Sequence, residues 1–319
     1  MALDPYSVLG VPRTASEAEI KKAYRTKVKA LHPDQNPGDK AKEDEFKRVS
    51  IAFDILGDAA KRAKFDRGEI DVAAFEGLDG VVHLAGEGIA EKRWTDEQKR
   101  RMRESRTEGT ALLVGALTSL QDKPAVLLSG SGVDAYGDRG DEQLTEASRR
   151  GGPGFLTDLT ADWEAAAEHA STAGIRVATL RTALVLDRDG GALPRMVKIA
   201  KLGLLGKIGS GRQWMSWITL RDHVRAMRFL LEHDVSGPVN MCSPGPVTNA
   251  VFTKALGRVV HRPTFLPVPR FGPKLLLGSE LAETLLLESK RALPEKLLDA
   301  GFEFEHDEVE SALAAVLKG

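Results

Sequence analysis

The feature that most limits the fold is a proline set between two amphipathic stretches. From Ile20 to Leu31, the residues Ile20, Ala23, Tyr24, Val28 and Leu31 fall on one helical face. Lys21, Lys22, Arg25 and Lys29 lie on the other, with no acid between Ile20 and Leu31. His32-Pro33-Asp34 follows. Proline lacks an N–H and disfavours helix at the residue before it, so the helix is expected to end there. Gln35-Asn36-Pro37-Gly38-Asp39 reads as a loop. A second helix is expected from about Ala41, with Phe46, Val49, Phe53 and Leu56 along one stripe. Two such helices pack antiparallel, stripe to stripe, and hold the tripeptide at an exposed tip. Pro5 to Val11 reads as a short helix ended before Pro12, and Lys61 to Arg67 as another. Ser16 can cap the basic helix, with Glu17 and Glu19 in its first turn. Gly57-Asp58 marks the end of the helix that carries Phe53 and Leu56.

Beyond this all-α segment the pattern changes. Val81-Val82-His83-Leu84-Ala85 is a short apolar run expected to form a buried strand. Asp96 to Leu120 reads as a long helix, Ala125 to Leu128 as a strand and Leu159 to Thr172 as a helix ended by Gly174. Ile175 to Leu180 and Val239 to Met241 read as further strands. Strands separated by helices imply a parallel sheet in an α/β layer. After about Pro244 the chain reads as mostly helical, with Phe252 to Val260 and Pro273 to Leu287 as candidates. The length of 319 residues suits about two domains, placed here at 1–71 and 72–319. A single cysteine, Cys242, excludes an internal disulfide and a cysteine-rich zinc site, and no histidine–carboxylate spacing suggests a metal. The net charge of −1 gives no global field toward nucleic acid or an anionic membrane. No signal-like segment or bilayer-length apolar run is present, so a cytoplasmic location is the expectation, with neither nucleic acid nor membrane as partner.

The first segment resembles the J-domain of DnaJ-type co-chaperones. The resemblance rests on Asp4-Pro5-Tyr6-Ser7-Val8-Leu9-Gly10-Val11, the basic helix, His32-Pro33-Asp34, Ala52-Phe53-Asp54-Ile55-Leu56 and Lys61-Arg62-Ala63-Lys64-Phe65-Asp66. It implies that Lys21, Lys22, Arg25 and Lys29 dock on an acidic face of a DnaK-type seventy-kilodalton chaperone. His32, Pro33 and Asp34 would then engage the seam of that partner's ATPase domain and linker, accelerating ATP hydrolysis.

The second segment resembles the epimerase-like, atypical branch of the short-chain dehydrogenase/reductase superfamily. The matching motifs include His83-Leu84-Ala85-Gly86-Glu87, Trp163-Glu164, Leu180-Arg181-Thr182, Gly209-Ser210-Gly211-Arg212-Gln213-Trp214 and Gly237-Pro238-Val239-Asn240. By this resemblance Ser131 and Tyr136 are catalytic candidates, and His83, Ala85, Gly86 and Thr182 are cofactor-binding candidates. The resemblance implies an incomplete Rossmann-like sheet. Family members begin with a strand, a glycine-rich phosphate loop and a helix, and that beginning is missing ahead of Val81. Phe65-Asp66-Arg67-Gly68-Glu69-Ile70-Asp71 fits both the end of a J-domain and the family's approach to its His-Leu-Ala-Gly strand, so it reads as a join at a shared motif.

A dinucleotide site needs glycines in a strand–helix turn so that backbone N–H groups reach the pyrophosphate. Gly130-Ser131-Gly132-Val133-Asp134-Ala135 fits G-x-G-x-x-A, but Tyr136 to Asp141 reads as a loop, and the motif counts only with a helix after it. The superfamily's usual acid is a tyrosine with a lysine four residues on. Tyr6, Tyr24 and Tyr136 are followed at that spacing by Gly10, Val28 and Gly140. The expectation is therefore no resident cofactor. Three functions stay open: a J-domain co-chaperone with an inactive dehydrogenase-like domain, an NADP(H)-dependent oxidoreductase or epimerase with an appended J-domain, and a chimera without function. A sheet that starts at its former centre also predicts self-association through the exposed edge.

Overall fold

The computed structural model describes residues 5–31, 36, 39, 42, 45–46, 49–50, 52–53, 56–66, 75 and 77–318. The chain divides into two compact units, Met1–Glu76 with Gly115–Gln121, and Gly77–Val114 with Asp122–Gly319. His32, Pro33 and Asp34 lie outside the described residues.

The first unit is helical. It contains α1 (Pro5–Leu9), α2 (Glu17–Leu31) and α3 (Ala59–Asp66), and the described residues between 42 and 56 are helical as well. Gly10, at φ 72°, ends α1 in the left-handed region that glycine enters without strain. Ser16 and Glu19 form a capping box at the start of α2. The Ser16 N–H and hydroxyl donate to the Glu19 carboxylate at 2.6 and 2.7 Å, and the Glu19 N–H donates back to Ser16 Oγ at 3.3 Å. The expected stripes meet: Ile20, Leu31, Val49 and Leu56 are buried with Tyr6 and Leu9. Tyr24 stacks on Phe53 at 3.9 Å between ring centroids, and Lys27 faces Glu45 at 3.8 Å. A later residue on one helix faces an earlier one on the other, so the two run antiparallel. Arg62 on α3 donates from Nε to Tyr6 Oη at 2.8 Å, and Tyr6 donates to Asp66 at 2.8 Å, which ties α3 back to α1.

The second unit is built on a four-stranded parallel sheet of β1 (Gly80–His83), β2 (Val126–Gly132), β4 (Arg176–Thr182) and β8 (Gly237–Met241), in the order β1-β2-β4-β8. Short pairs flank it: β3 (Gln143–Leu144) with β10 (Arg291–Ala292), β5 (Leu184–Leu186) with β7 (Trp217–Thr219), and β6 (Trp214–Met215) with β9 (Val247–Thr248). The helices are α4 (Asp96–Ser119), α5 (Phe155–Glu168), α6 (Leu193–Lys201), α7 (Leu220–Glu232), α8 (Asn249–Val259), α9 (Phe271–Leu277), α10 (Glu295–Asp299) and α11 (Val309–Lys318).

Side chains alternate across the sheet as the strand period requires. Val126, Leu128, Ala178, Leu180, Val239 and Met241 bury one face against Ala226 and Leu230 of α7 and Leu297 of α10. Leu186, Trp217, Phe252, Leu256, Ala312 and Leu313 form a separate core. The order confirms that β1 is an edge: among the described residues it has a strand on one side only. Val82 is 41% exposed and Leu84 is exposed beyond it, so the run read as a buried strand is buried on one side at best. Two helical readings also shift. The 155–173 helix begins at Phe155, and its last turn is 3-10 up to Ala173. The helix expected over Pro273 to Leu287 is broken at Gly278, φ 96°, into α9, a turn at Ser279–Ala282 and a wider turn over Glu283–Leu287. No helix among the described residues is long and apolar enough to cross a membrane.

Candidate functional site

In the first unit the sequence-expected docking residues share one surface. Lys21, Lys22, Arg25 and Lys29 on α2 are all exposed, opposite the buried Ile20 and Leu31. Lys21 pairs with Glu17 one turn earlier. Lys22, Arg25 and Lys29 form no ion pair among the described residues, which leaves their charge to the solvent side of the helix.

In the second unit the candidate site residues are brought near the carboxyl end of the sheet, and the polar ones, Ser131, Tyr136, His83 and Thr182, are already engaged. Ser131, on β2, donates to Glu164 at 2.6 Å. Tyr136 is fully buried, its hydroxyl 2.8 Å from Asn240 Oδ1 and 3.0 Å from the Thr145 carbonyl. Burial pushes the Tyr136 phenol up, against the lowering effect of Arg181 and Asn240. His83 Nε2 lies 3.1 Å from Thr110 Oγ1, and burial pushes the imidazole down. Thr182 Oγ1 lies 3.2 Å from His223 Nε2. Ala85 and Gly86, just past β1, are exposed, and a Cβ at Gly86 would meet the Arg106 guanidinium at 2.9 Å.

The G-x-G-x-x-A match that starts at Gly130 has a packing explanation. A Cβ on Gly130 would sit 2.7 Å from the Trp163 indole, so glycine is needed there for α5 to lie against β2. One 3-10 turn, Val133–Tyr136, follows, and no helix begins there. Among the described residues no strand–glycine turn–helix unit precedes β1. The hydroxyls of Ser131, Tyr136 and Thr182 are engaged with protein partners.

Two buried charge clusters stand beside these positions, and the sequence reading did not anticipate either. Glu164 on α5 accepts from Arg181 at 2.9 and 3.0 Å, from Arg150 at 2.5 Å and from Ser131. Burial pushes the Glu164 carboxyl up, but Arg181, Ser131 and Arg150 together outweigh it and hold the group below the usual range. Lys290 pairs with Asp134 and Glu288, both at 2.9 Å. Burial opposes its charge, and the two carboxylates restore it. Trp163-Glu164 and Leu180-Arg181 were visible as motifs, but only the sheet places α5 over β4.

A polar cleft of about 390 Å³ is lined by Asp138, Asp141, Arg212, Gln213, Arg270 and Ser289 among others. Most of its polar groups serve the fold. Asp138 accepts from the Ser289 N–H at 3.1 Å, Asp141 from Trp214 Nε1 at 2.8 Å, and Gln213 donates to the Leu286 carbonyl at 3.0 Å. No group of three His, Cys, Asp or Glu among the described residues could hold a metal.

Comparisons with known proteins agree with both units. Residues 4–66 match the DnaJ domain, residues 36–242 the NAD dependent epimerase/dehydratase family, and residues 268–316 a domain of unknown function, DUF1731. The first two matches share the stretch that ends in Phe65-Asp66. An epimerase family protein of Mycobacterium leprae, ML0860, is 41% identical over 250 residues, 78% of this chain and 80% of that protein. The Bacillus subtilis epimerase family protein YfhF is 35% identical over 75% of this chain and 78% of its own. Among solved structures, the human epimerase family protein SDR39U1 (isoform 2) with NADPH superposes with a TM-score of 0.72 at 31% identity, covering 76% of this chain and 82% of that one. The chain therefore belongs to the NAD dependent epimerase/dehydratase family and carries a DnaJ domain at its N-terminal end.

Proposed function

We propose that this protein acts as a J-domain co-chaperone, docking on a DnaK-type seventy-kilodalton chaperone and stimulating its ATPase, with all covalent chemistry in the partner. The carrying observation is the α2 face, where Lys21, Lys22, Arg25 and Lys29 stand exposed on a helix fixed by its capping box and by the Tyr24–Phe53 stack. His32, Pro33 and Asp34 follow α2 directly and are assigned to the ATPase trigger. A single-turnover ATPase assay of DnaK with the full chain tests this. Stimulation is expected, with Asp34→Asn abolishing it and the triple change K21A/K22A/R25A weakening it in a salt-dependent way. Equal stimulation by the Asp34→Asn protein sinks the assignment.

A second reading, an NADP(H)-dependent oxidoreductase or epimerase with an appended J-domain, is favoured by one observation: the SDR39U1 structure was determined with NADPH. Against it stand the lack, among the described residues, of a glycine turn ahead of β1 and the buried Tyr136 hydroxyl facing Asn240 and the Thr145 carbonyl. Calorimetric titration with NADPH separates the two, and saturable micromolar binding would establish the enzyme reading. The domains proposed for these roles are 1–71 and 72–319, and the proposed site is cytoplasmic.

A further inference from the structure

The net charge of −1 conceals a strong local segregation. Residues 190–221 contain Arg195, Lys198, Lys201, Lys207, Arg212 and Arg221 and no acid. Residues 235–279 contain Lys254, Arg258, His261, Arg262, Arg270 and Lys274 and no acid. The fold brings these two stretches together in the second unit. Arg262 Nε donates to the Lys201 carbonyl at 3.3 Å, the Val268 N–H to the Lys207 carbonyl at 2.9 Å, and Ile208 and Val268 form a parallel bridge. A Cβ at Gly206 would lie 1.5 Å from the Leu266 carbonyl oxygen, so the two segments touch with no side chain between them.

The same two stretches expose large apolar side chains. On α6 Arg195, Lys198, Ile199 and the C-cap residue Leu202 recur at i, i+3, i+4 and i+7, all exposed, while Leu193 and Ala200 are buried opposite. Leu202 is 73% exposed, and Leu204 follows it into solvent. Alongside run Phe265 at 77% and Leu266, then Phe271 at 72% and Leu275 at 75%, one turn apart on α9. Isolated apolar residues on a surface need no explanation, but a run of them rimmed by cations does. Some of that charge is answered: Arg270 and Lys274 pair with Glu283, and Arg258 with Glu310. Lys198, Lys201, Lys207, Arg212 and Lys254 form no ion pair among the described residues.

We propose that this surface of the epimerase-like unit docks on an anionic phospholipid bilayer. Leu202, Leu204, Phe265 and Phe271 would enter the headgroup boundary while Lys198, Lys201 and Lys207 face lipid phosphates. Charge complementarity and protrusion carry the choice of occupant. The apolar side chains project from loops and helix ends instead of lining a groove, and the cations flank them, which is the arrangement of an interfacial anchor. No membrane-spanning helix is required. The proposal departs from the expectation of no membrane partner, which was drawn from the net charge of the whole chain and not from its local distribution.

The test is flotation of the full chain with phosphatidylcholine vesicles, with and without phosphatidylglycerol. Binding is expected only when phosphatidylglycerol is present, falling as salt rises. The variant K198A/K201A/K207A should bind about a hundredfold more weakly, at roughly fivefold per charge. F265S/F271S should lose about tenfold at constant charge. These side chains are exposed, so the tryptophan-detected unfolding midpoint should not move. F265C carrying an environment-sensitive dye should shift to the blue with anionic vesicles alone, giving a gain of signal independent of the losses. K21E/K22E/R25E on α2 should float as the wild type does. Absence of wild-type flotation at low salt, loss traced to the α2 variant alone, or soluble polyglutamate binding unaffected by F265S/F271S would each overturn the proposal. So would a concentration-dependent mass abolished by F271S, which would assign the patch to a second copy of the chain.

Discussion

In the first unit Tyr6, Ile20, Leu31, Val49 and Leu56 come from neighbouring helices and close on one another. In the second, Val126 pairs with Arg176 and Ala178 with Gly237, so each strand depends on partners far along the chain. Loss of one distant strand leaves the first kind of core untouched and turns an interior strand of the second kind into an edge. Local cores survive rearrangement of a chain, and sheets keep the record of it. Breaking each core separately shows whether the two behave as distinct cooperative units.

The largest effect is expected at Glu164. Arg181 is almost wholly buried, and Glu164 is its charge partner. Glu164→Ala leaves that guanidinium buried without a counter-ion, at a cost of about 3–5 kcal/mol. Trp94, Trp163, Trp214 and Trp217 all lie in the second unit, so fluorescence-detected denaturation reads that unit alone. The fluorescence midpoint should fall sharply while part of the far-ultraviolet helical signal survives. If both signals collapse together, the units unfold as one. The reciprocal change is Leu56→Ala in the helical core, where Leu56 is fully buried. It should cost about 2–5 kcal/mol, lowering the helical signal at mild denaturant while the tryptophan midpoint stays put.

How much of this was legible in the sequence follows the same division. Tyr24, Phe53 and Val49 were readable as core because a helical stripe is a local pattern, and Ser16 as a cap for the same reason. In the second unit the strands were readable as apolar runs, but their surroundings were not. Tyr136 stood out as a catalytic candidate by position, but only the arrival of Asn240 on β8 supplies the partner of its hydroxyl. Glu164 and Arg181 were seen in separate motifs, since nothing local says that a helix residue and a strand residue will meet. Gly278 broke an expected helix because a left-handed backbone there outweighed the apolar run on either side.

A third prediction uses pH. Burial holds the His223 imidazole down at about 4, from an ordinary value of 6.5. Its folded pKa is lowered, so the unfolded chain binds the extra proton between these values. Stability is full above about 6.5 and is lost as pH falls toward 4, by about 3 kcal/mol. The tryptophan-detected midpoint should drop over that window, and His223→Gln should flatten the drop. An unchanged slope in the variant would place the acid sensitivity elsewhere than at His223.

The smallest effect on stability, and the sharpest on the comparison, concerns β1. Val82 is 41% exposed on a strand whose second side pairs with nothing among the described residues. An unpaired row of N–H and C=O groups is a template for another strand, and natural edges are commonly guarded by an inward or flanking lysine. The run Val81-Val82-His83-Leu84 carries no such guard. Light scattering of the wild-type chain should therefore show a mass that rises with concentration. Val82→Lys should suppress that rise and move the unfolding midpoint by no more than about 0.5 kcal/mol, since an exposed site away from the core contributes little. If the variant instead destabilises the unit strongly, Val82 is packed in solution and the edge is covered. If the wild-type mass is constant at every concentration, the sheet tolerates its open side, and a doubly wound fold needs fewer strands than its symmetry suggests.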